Sequence, residues 1–152
     1  MFNEIDLKIL NILQENARTS NADLARAVDL APSAVLERVR KLERRGVITG
    51  YAARLSPAAL GLALTAFTFV RVEEAVGATD TGRLLAGLPG VVEVHYTAGA
   101  AAYLVKVRVA DTAALAALLR EMGRIESVRD TNTTIVLETV TETAALPINH
   151  HS

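Results

Sequence analysis

The apolar residues of this chain change their repeat part-way along it. Up to about residue 45 they recur at helical spacing, and from Leu64 onward they follow the two-residue alternation of strands. A chain of 152 residues carrying both patterns in succession is constrained to a helical unit followed by a mixed one. The front of the chain predicts three helices. The first runs from Glu4 to Glu15, with Ile5, Ile9, Ile12 and Leu13 at helical spacing. Asn3 suits its N-cap, and Phe2 with Leu7 occupy the two positions of a hydrophobic staple. The second follows the cap Ser20 and presents Leu24, Ala25 and Val28 on one face. Leu30 and Ala31 interrupt it. Pro32 then opens the third helix, where a missing N–H costs nothing, and Gly46 ends it.

Beyond Gly46, residues 47–55 look extended, and Ser56-Pro57 with Gly61 mark a connection. The pattern then predicts a strand at LTAFTFVRV, a helix from Asp80 to Leu88 and strands at VVEVHYT and YLVKVRV. Asp111 caps a second helix that carries Leu115, Leu118, Leu119 and Met122. TNTTIVLETV closes the set as a strand. The order β-α-β-β-α-β is the ferredoxin-like split βαβ arrangement, and the fold class is α+β. Right-handed crossovers place both helices on one face of a four-stranded sheet. In the first strand Leu64, Ala66, Val70 and Val72 alternate with Phe67 and Phe69, so both faces carry apolar side chains, and the uncovered one predicts self-association.

The third helix carries the chemistry. Val35, Val39 and Leu42 share one side and face the other helices. Ser33, Ala34, Glu37, Arg40, Lys41 and Arg44 fall on the opposite side, with Arg38 and Arg45 on the flank. The run RVRKLERR, residues 38–45, holds five basic residues against one Glu. A tight turn followed by such a helix is the helix-turn-helix pattern. Small or polar residues near the helix start reach base edges, while basic residues farther along grip phosphates. Ser33, Ala34 and Glu37 are candidates for base readout; Arg38, Arg40, Lys41 and Arg44 are candidates for backbone contact. A merely solubilising charged face is the competing reading. Residues 1–50 carry a net charge of +1 and the remainder −2, so the local cluster matters more than the balance.

The strings IDLKILNILQENARTSNADLARAVDLAPSAVLERVRKLERRGVITGYAARLSP and VVEVHYTAGAAAYLVKVRV closely resemble the Lrp/AsnC family of bacterial and archaeal regulators, also called feast/famine regulatory proteins. The resemblance extends from Ile5 to about Val140, and its most specific part is Leu36 to Tyr51. It implies a winged helix-turn-helix followed by a ferredoxin-like α/β-sandwich domain. It further implies dimers formed through the sheets, tetramers or octamers of higher order, and an amino-acid effector at the interface between dimers. The effector residues it implies are Ala98, Gly99, Ala100, Ala102 and Tyr103, with Thr133, Thr134 and Val136 opposite. One departure stands out. The family's Gly-Asp-x-Asp-Tyr loop reads Gly99-Ala100-Ala101-Ala102-Tyr103, so both acidic positions are alanine. A carboxylate there would pair with an α-ammonium group. Its loss predicts an altered or absent amino-acid response.

The resulting expectation is a helix-turn-helix domain over residues 1–50, a linker strand and connection over 51–63, an oligomerisation and effector domain over 64–142, and a loose tail over 143–152. Its partners are double-stranded DNA, further copies of itself and a small effector. The chain has no Cys, which excludes disulfides, thiolate metal sites and Cys nucleophiles. Its opening residues, with Glu4 and Asp6, do not read as a signal peptide. No run approaches the roughly 20 apolar residues of a membrane span. These features fit a cytoplasmic protein. His95 lies alone in a strand, His150 and His151 lie in the tail, and no catalytic or metal-binding constellation appears. No cofactor is implied. Two other functions share parts of the pattern. An architectural protein would wrap DNA with little sequence preference. A tetrapyrrole-decarboxylase-like enzyme would use a similar two-domain architecture but needs no basic recognition helix.

Overall fold

A computed structural model describes residues 2–148. The chain divides into two compact units: the segment up to Arg54, joined by the chain from Thr141 onward, and Leu55–Val140.

The first unit holds three helices: α1 (Glu4–Glu15), α2 (Asn21–Val28) and α3 (Pro32–Arg44). Each of the first two begins on a side-chain cap. Asn3 accepts from the Asp6 N–H, and Ser20 accepts from the Asp23 N–H. α3 has no side-chain cap and starts on Pro32. The α2–α3 turn is tight because Asp29 takes a left-handed conformation at φ 56°, which short Asp side chains tolerate. Ile9, Leu24, Val35 and Leu42 form the sealed centre of this unit, with Leu10, Leu13, Ala25 and Val39 around them. Gly46, at φ 72°, closes α3, and the Val47 N–H returns to the Leu42 carbonyl.

Two expectations are corrected here. No strand forms in residues 51–63; this stretch contains only a 3-10 turn, Ala58–Leu60. An extended segment becomes a strand only where a neighbour completes the ladder, and the single chain offers none. The tail is also not loose over its described part. The Gln14 amide donates to the Leu146 carbonyl and accepts from the Leu146 N–H, each at 2.8 Å, while Asn11 donates to the Ile148 carbonyl at 3.1 Å. Ile148 packs against the helical core. His150 and His151, expected to be inert, lie outside the described residues.

The second unit is β1 (Leu64–Val72), α4 (Asp80–Ala86), β2 (Val91–Tyr96), β3 (Tyr103–Val109), α5 (Thr112–Gly123) and β4 (Val128–Ile135). The sheet order is β2-β3-β1-β4, and every pairing is antiparallel. β4 ends at Ile135, short of the expected Val140; its pairing with β1 stops at Ala66, and only the bond from the Val136 N–H to the Thr65 carbonyl continues beyond it. Even-numbered residues of β1 face the helices: Ala66, Thr68 and Val70 are buried, with Val105, Val107, Leu85, Leu118 and Met122 packed around them. Odd-numbered residues face the open side. Phe67 and Phe69 are 37% and 49% exposed there, as the alternation requires. Phe67 lies beneath the Lys106 ammonium, 5.9 Å from its ring centre.

The helix side closes on one tight contact. A Cβ on Gly82, in the middle of α4, would come within 2.6 Å of the Tyr103 ring. Glycine here makes room for the aromatic side chain. Gly82→Ala is therefore expected to lose about 1–3 kcal/mol in denaturant unfolding despite its better helix propensity. Gly123→Ala, at the end of α5 with open space around it, is expected to be neutral or gain up to about 1 kcal/mol. Equal effects at both positions would refute this account.

Candidate DNA-binding and effector sites

Helix α3 divides as its sequence dictates. Val35, Val39 and Leu42 are buried against α1 and α2. Ser33, Ala34, Glu37, Arg40, Lys41 and Arg44 are exposed on the other side. Two details depart from a uniform basic face. Arg38 turns back onto α1, with Nη1 3.1 Å from an Asp6 carboxylate oxygen and 3.5 Å from Asn3 Oδ1. Its charge is thus largely committed within the unit. Arg44 and Glu37 pair across two turns at 3.1 Å, but both are well exposed. Such a surface pair holds its partners weakly and yields readily to a ligand. Arg40 and Lys41 make no ion pair among the described residues. Arg45 lies over the Phe2 ring at 5.0 Å, tying the end of α3 to the start of the chain. Basic residues in the last turn also suit the negative end of the helix dipole.

In the second unit, residues 97–102 join β2 to β3 as a loop. Thr97 closes it, its hydroxyl donating to the Ala101 carbonyl at 2.7 Å and its N–H to the Ala102 carbonyl at 2.8 Å. Beside this loop lies a cavity of about 420 Å³, lined by Phe69, Arg71, Gly99, Ala100, Ala101, Asp130 and Asn132. The volume falls within the ~300–1,000 Å³ typical of small-molecule sites. Arg71 and Asp130 face each other across the β1–β4 register, with Nε 2.8 Å from Oδ2. The hydrogen bond from Arg71 holds the Asp130 carboxyl below its usual range, and the same bond raises the guanidinium further.

The residues singled out in the sequence thus separate. Gly99 and Ala100 line the cavity, and Ala98 is exposed beside them in the loop. Thr134 lies on the open face opposite Phe67, and the Val136 N–H donates to the Thr65 carbonyl. Ala102 packs toward the helix-side core. Thr133 also turns inward, its hydroxyl donating to Thr68 Oγ1 at 2.8 Å. Tyr103 is sealed on the same side, where its hydroxyl donates to Glu74. Phe69, Arg71, Asp130 and Asn132 were not anticipated. Strand parity alone would have placed all four on one face, but the register between β1 and β4 was needed to make them neighbours.

Glu74 is the hub of the inward network. One oxygen accepts from Tyr103, the other from the Thr81 hydroxyl at 2.6 Å and the Thr81 N–H at 3.3 Å, with Ser127 completing the chain. Thr79, at the N-cap of α4, makes no capping bond, so the Glu74 carboxylate takes over that task. Burial pushes the Glu74 carboxyl up, but the bonds from Thr81 and Tyr103 outweigh it and the net shift is downward. Burial, then the Glu74 carboxylate, push the Tyr103 hydroxyl up to about 12.

The described residues contain no group of three or more His, Asp or Glu able to hold a metal ion. They also contain no helix long and apolar enough to cross a membrane.

Comparison with known proteins places both units. The family model described as winged helix-turn-helix DNA-binding matches residues 2–49, and the one described as the Lrp/AsnC ligand binding domain matches residues 65–146. The leucine-responsive regulatory protein of Haemophilus influenzae is 41% identical, covering 91% of this chain and 86% of its own length. The HTH-type transcriptional regulator FL11 of Pyrococcus horikoshii is 39% identical over 95% of each chain. Among solved structures, a transcriptional regulator of Neisseria meningitidis in complex with L-methionine superposes with a TM-score of 0.91. It shares 33% identity over 99% of both chains. A feast or famine regulatory protein from M. tuberculosis, also complexed with L-methionine, gives 0.90 at 34% identity, over 98% of this chain and 100% of that one.

The Tyr103–Glu74 bond carries a pH signature. A hydroxyl whose folded pKa lies near 12, above the ordinary value of about 10, favours the folded state while it is protonated. That contribution is complete below about pH 10 and is lost as pH rises toward 12. Tyr103→Phe is expected to destabilise the unit by about 1 kcal/mol at neutral pH and to flatten its stability between these limits. Urea unfolding of both proteins from pH 8 to 12 measures the difference; parallel curves would contradict the assignment.

Proposed function

Since the chain belongs to the Lrp/AsnC family of transcriptional regulators, we propose that α3 is its recognition helix and that residues 1–50 dock it on operator DNA. The single observation that carries this is the polarity of α3. Its apolar side is wholly committed to the helical core, while Ser33, Ala34, Glu37, Arg40, Lys41 and Arg44 stand exposed on the other. Ser33, Ala34 and Glu37 read base edges near the helix start; Arg40, Lys41 and Arg44 hold phosphates. Arg38, paired with Asp6, has the smaller share of the phosphate contact and the larger share of fixing α3 to α1.

Residues 64–142 act as the assembly and sensing part. Its open sheet face, with Phe67 and Phe69 half-exposed beside Leu104, pairs with the same face of a second copy, and dimers associate further into tetramers or octamers. An amino acid or similar small molecule binds beside the loop containing Ala98, Gly99, Ala100 and Ala102, modulating DNA binding. The methionine complexes of the Neisseria and M. tuberculosis proteins support this class of effector. The protein works in the cytoplasm, where its DNA lies. The named relatives are regulators, which favours this reading over a decarboxylase-like enzyme on the same architecture. An architectural, DNA-wrapping role remains the competing outcome of the test below.

Purified protein titrated onto its own upstream region and onto a scrambled duplex, across a salt series, tests the DNA reading. The expected result is selective binding that weakens with salt. Arg40→Ala and Lys41→Ala should each reduce the magnitude of the logarithmic salt slope by about 0.9 per protomer, and Arg38→Ala by less. Equal affinity for both duplexes would establish the architectural role instead. The assembly reading is tested by sedimentation: the double variant Phe67→Glu, Phe69→Glu should shift the particle toward monomer. An unchanged particle size would place the dimer contact elsewhere.

A further inference from the structure

The loop beside the cavity supplies no charge: Gly99, Ala100 and Ala101 offer only backbone groups and methyls. The floor beneath it differs. There Arg71 spends two N–H groups, on Nε and Nη2, upon a single oxygen of Asp130. Among the described residues no hydrogen bond reaches the second Asp130 oxygen, Arg71 Nη1 or the Asn132 side-chain amide. A guanidinium carries five donors and a carboxylate has two oxygens, so each of these two cavity-lining partners keeps hydrogen-bonding capacity that their mutual pairing does not use. The half-exposed Phe69 ring adds an apolar wall.

Such a floor selects for a particular chemistry. A lone anion would meet Asp130 as well as Arg71, and a lone cation would meet Arg71 as well as Asp130. A molecule bearing an ammonium and a carboxylate on one carbon satisfies both, its ammonium on Asp130 and its carboxylate on Arg71. We propose that Arg71 and Asp130 hold the charged head of a free α-amino acid in this cavity, with Asn132 beside it and an apolar side chain against Phe69. Two neighbouring strands thereby supply the recognition that Ala100 and Ala102 cannot supply in the loop. This rests on the effector reading above and specifies the groups that bind its ligand. Of the altered or absent response expected from the loop, it specifies the altered one, with the recognising charge relocated to the strands.

Calorimetry on the full chain with each of the twenty L-amino acids is the first step. The best binder is then compared with its N-acetyl and its carboxamide derivatives, on the native protein and on Arg71→Ala and Asp130→Asn. Each blocked derivative should bind the native protein at least about tenfold more weakly. Asp130→Asn should lose the preference for the free amine over the N-acetyl form, and Arg71→Ala the preference for the free carboxylate over the carboxamide. These losses of discrimination would not follow from a general loosening of the fold. The derivative series on native protein also needs no variant to fold. An amino acid that binds both variants as tightly as the native chain, or whose blocked derivatives bind equally well, overturns this inference and leaves the effector reading standing. Failure of all twenty to bind overturns both.

Discussion

A four-stranded sheet reached by two right-handed crossovers can be covered by helices on one side only, and the regulatory unit follows from that constraint. Because α4 and α5 both pack against the same face, the even-numbered residues of β1 turn toward the core, while Phe67, Phe69 and Arg71 are left exposed on the other side. The inner side is sealed by Tyr103, which fits only because Gly82 lacks a side chain. It is held by Glu74, which bonds that hydroxyl and caps α4 as well. The outer side keeps Phe67 and Phe69 half-exposed, together with the Arg71–Asp130 pair. The face proposed for assembly and the cavity proposed for the ligand share Phe69, which lines the cavity and stands half-exposed on the open side.

The helical unit solves a different problem: a short helix must present charge outward without coming loose. α3 is anchored by Val35, Val39 and Leu42 beneath, by the Arg38–Asp6 pair on one flank and by Arg45 over Phe2 at its end. Three of its basic residues are left to the exposed side. The tail residues Leu146 and Ile148 add a further brace on α1 through Gln14 and Asn11. Two polar side chains that a helical wheel would assign to solvent serve instead to complete the backbone hydrogen bonds of a returning segment.

The sequence alone determined the element order, the caps at Asn3, Ser20 and Asp111, both core stripes and the basic face of α3. Each of these rests on local periodicity or on a single capping bond, which a few adjacent residues suffice to specify. The substitution of alanine at 100 and 102 was likewise plain in the letters. What only the tertiary structure decided were matters of partnership between distant residues. Arg38 found Asp6, 32 positions away; Arg71 found Asp130, 59 away; and the tail found α1. The extended stretch after α3 stayed unpaired, and β4 stopped at Ile135, opposite Ala66. Tyr103 and Thr133 turned inward because the strand register sent their side chains to the helix face, although Tyr103 borders the loop in sequence. Register and side-chain pairing depend on which strands meet and at what offset, and a linear pattern fixes a strand's faces without saying which neighbour each residue will touch.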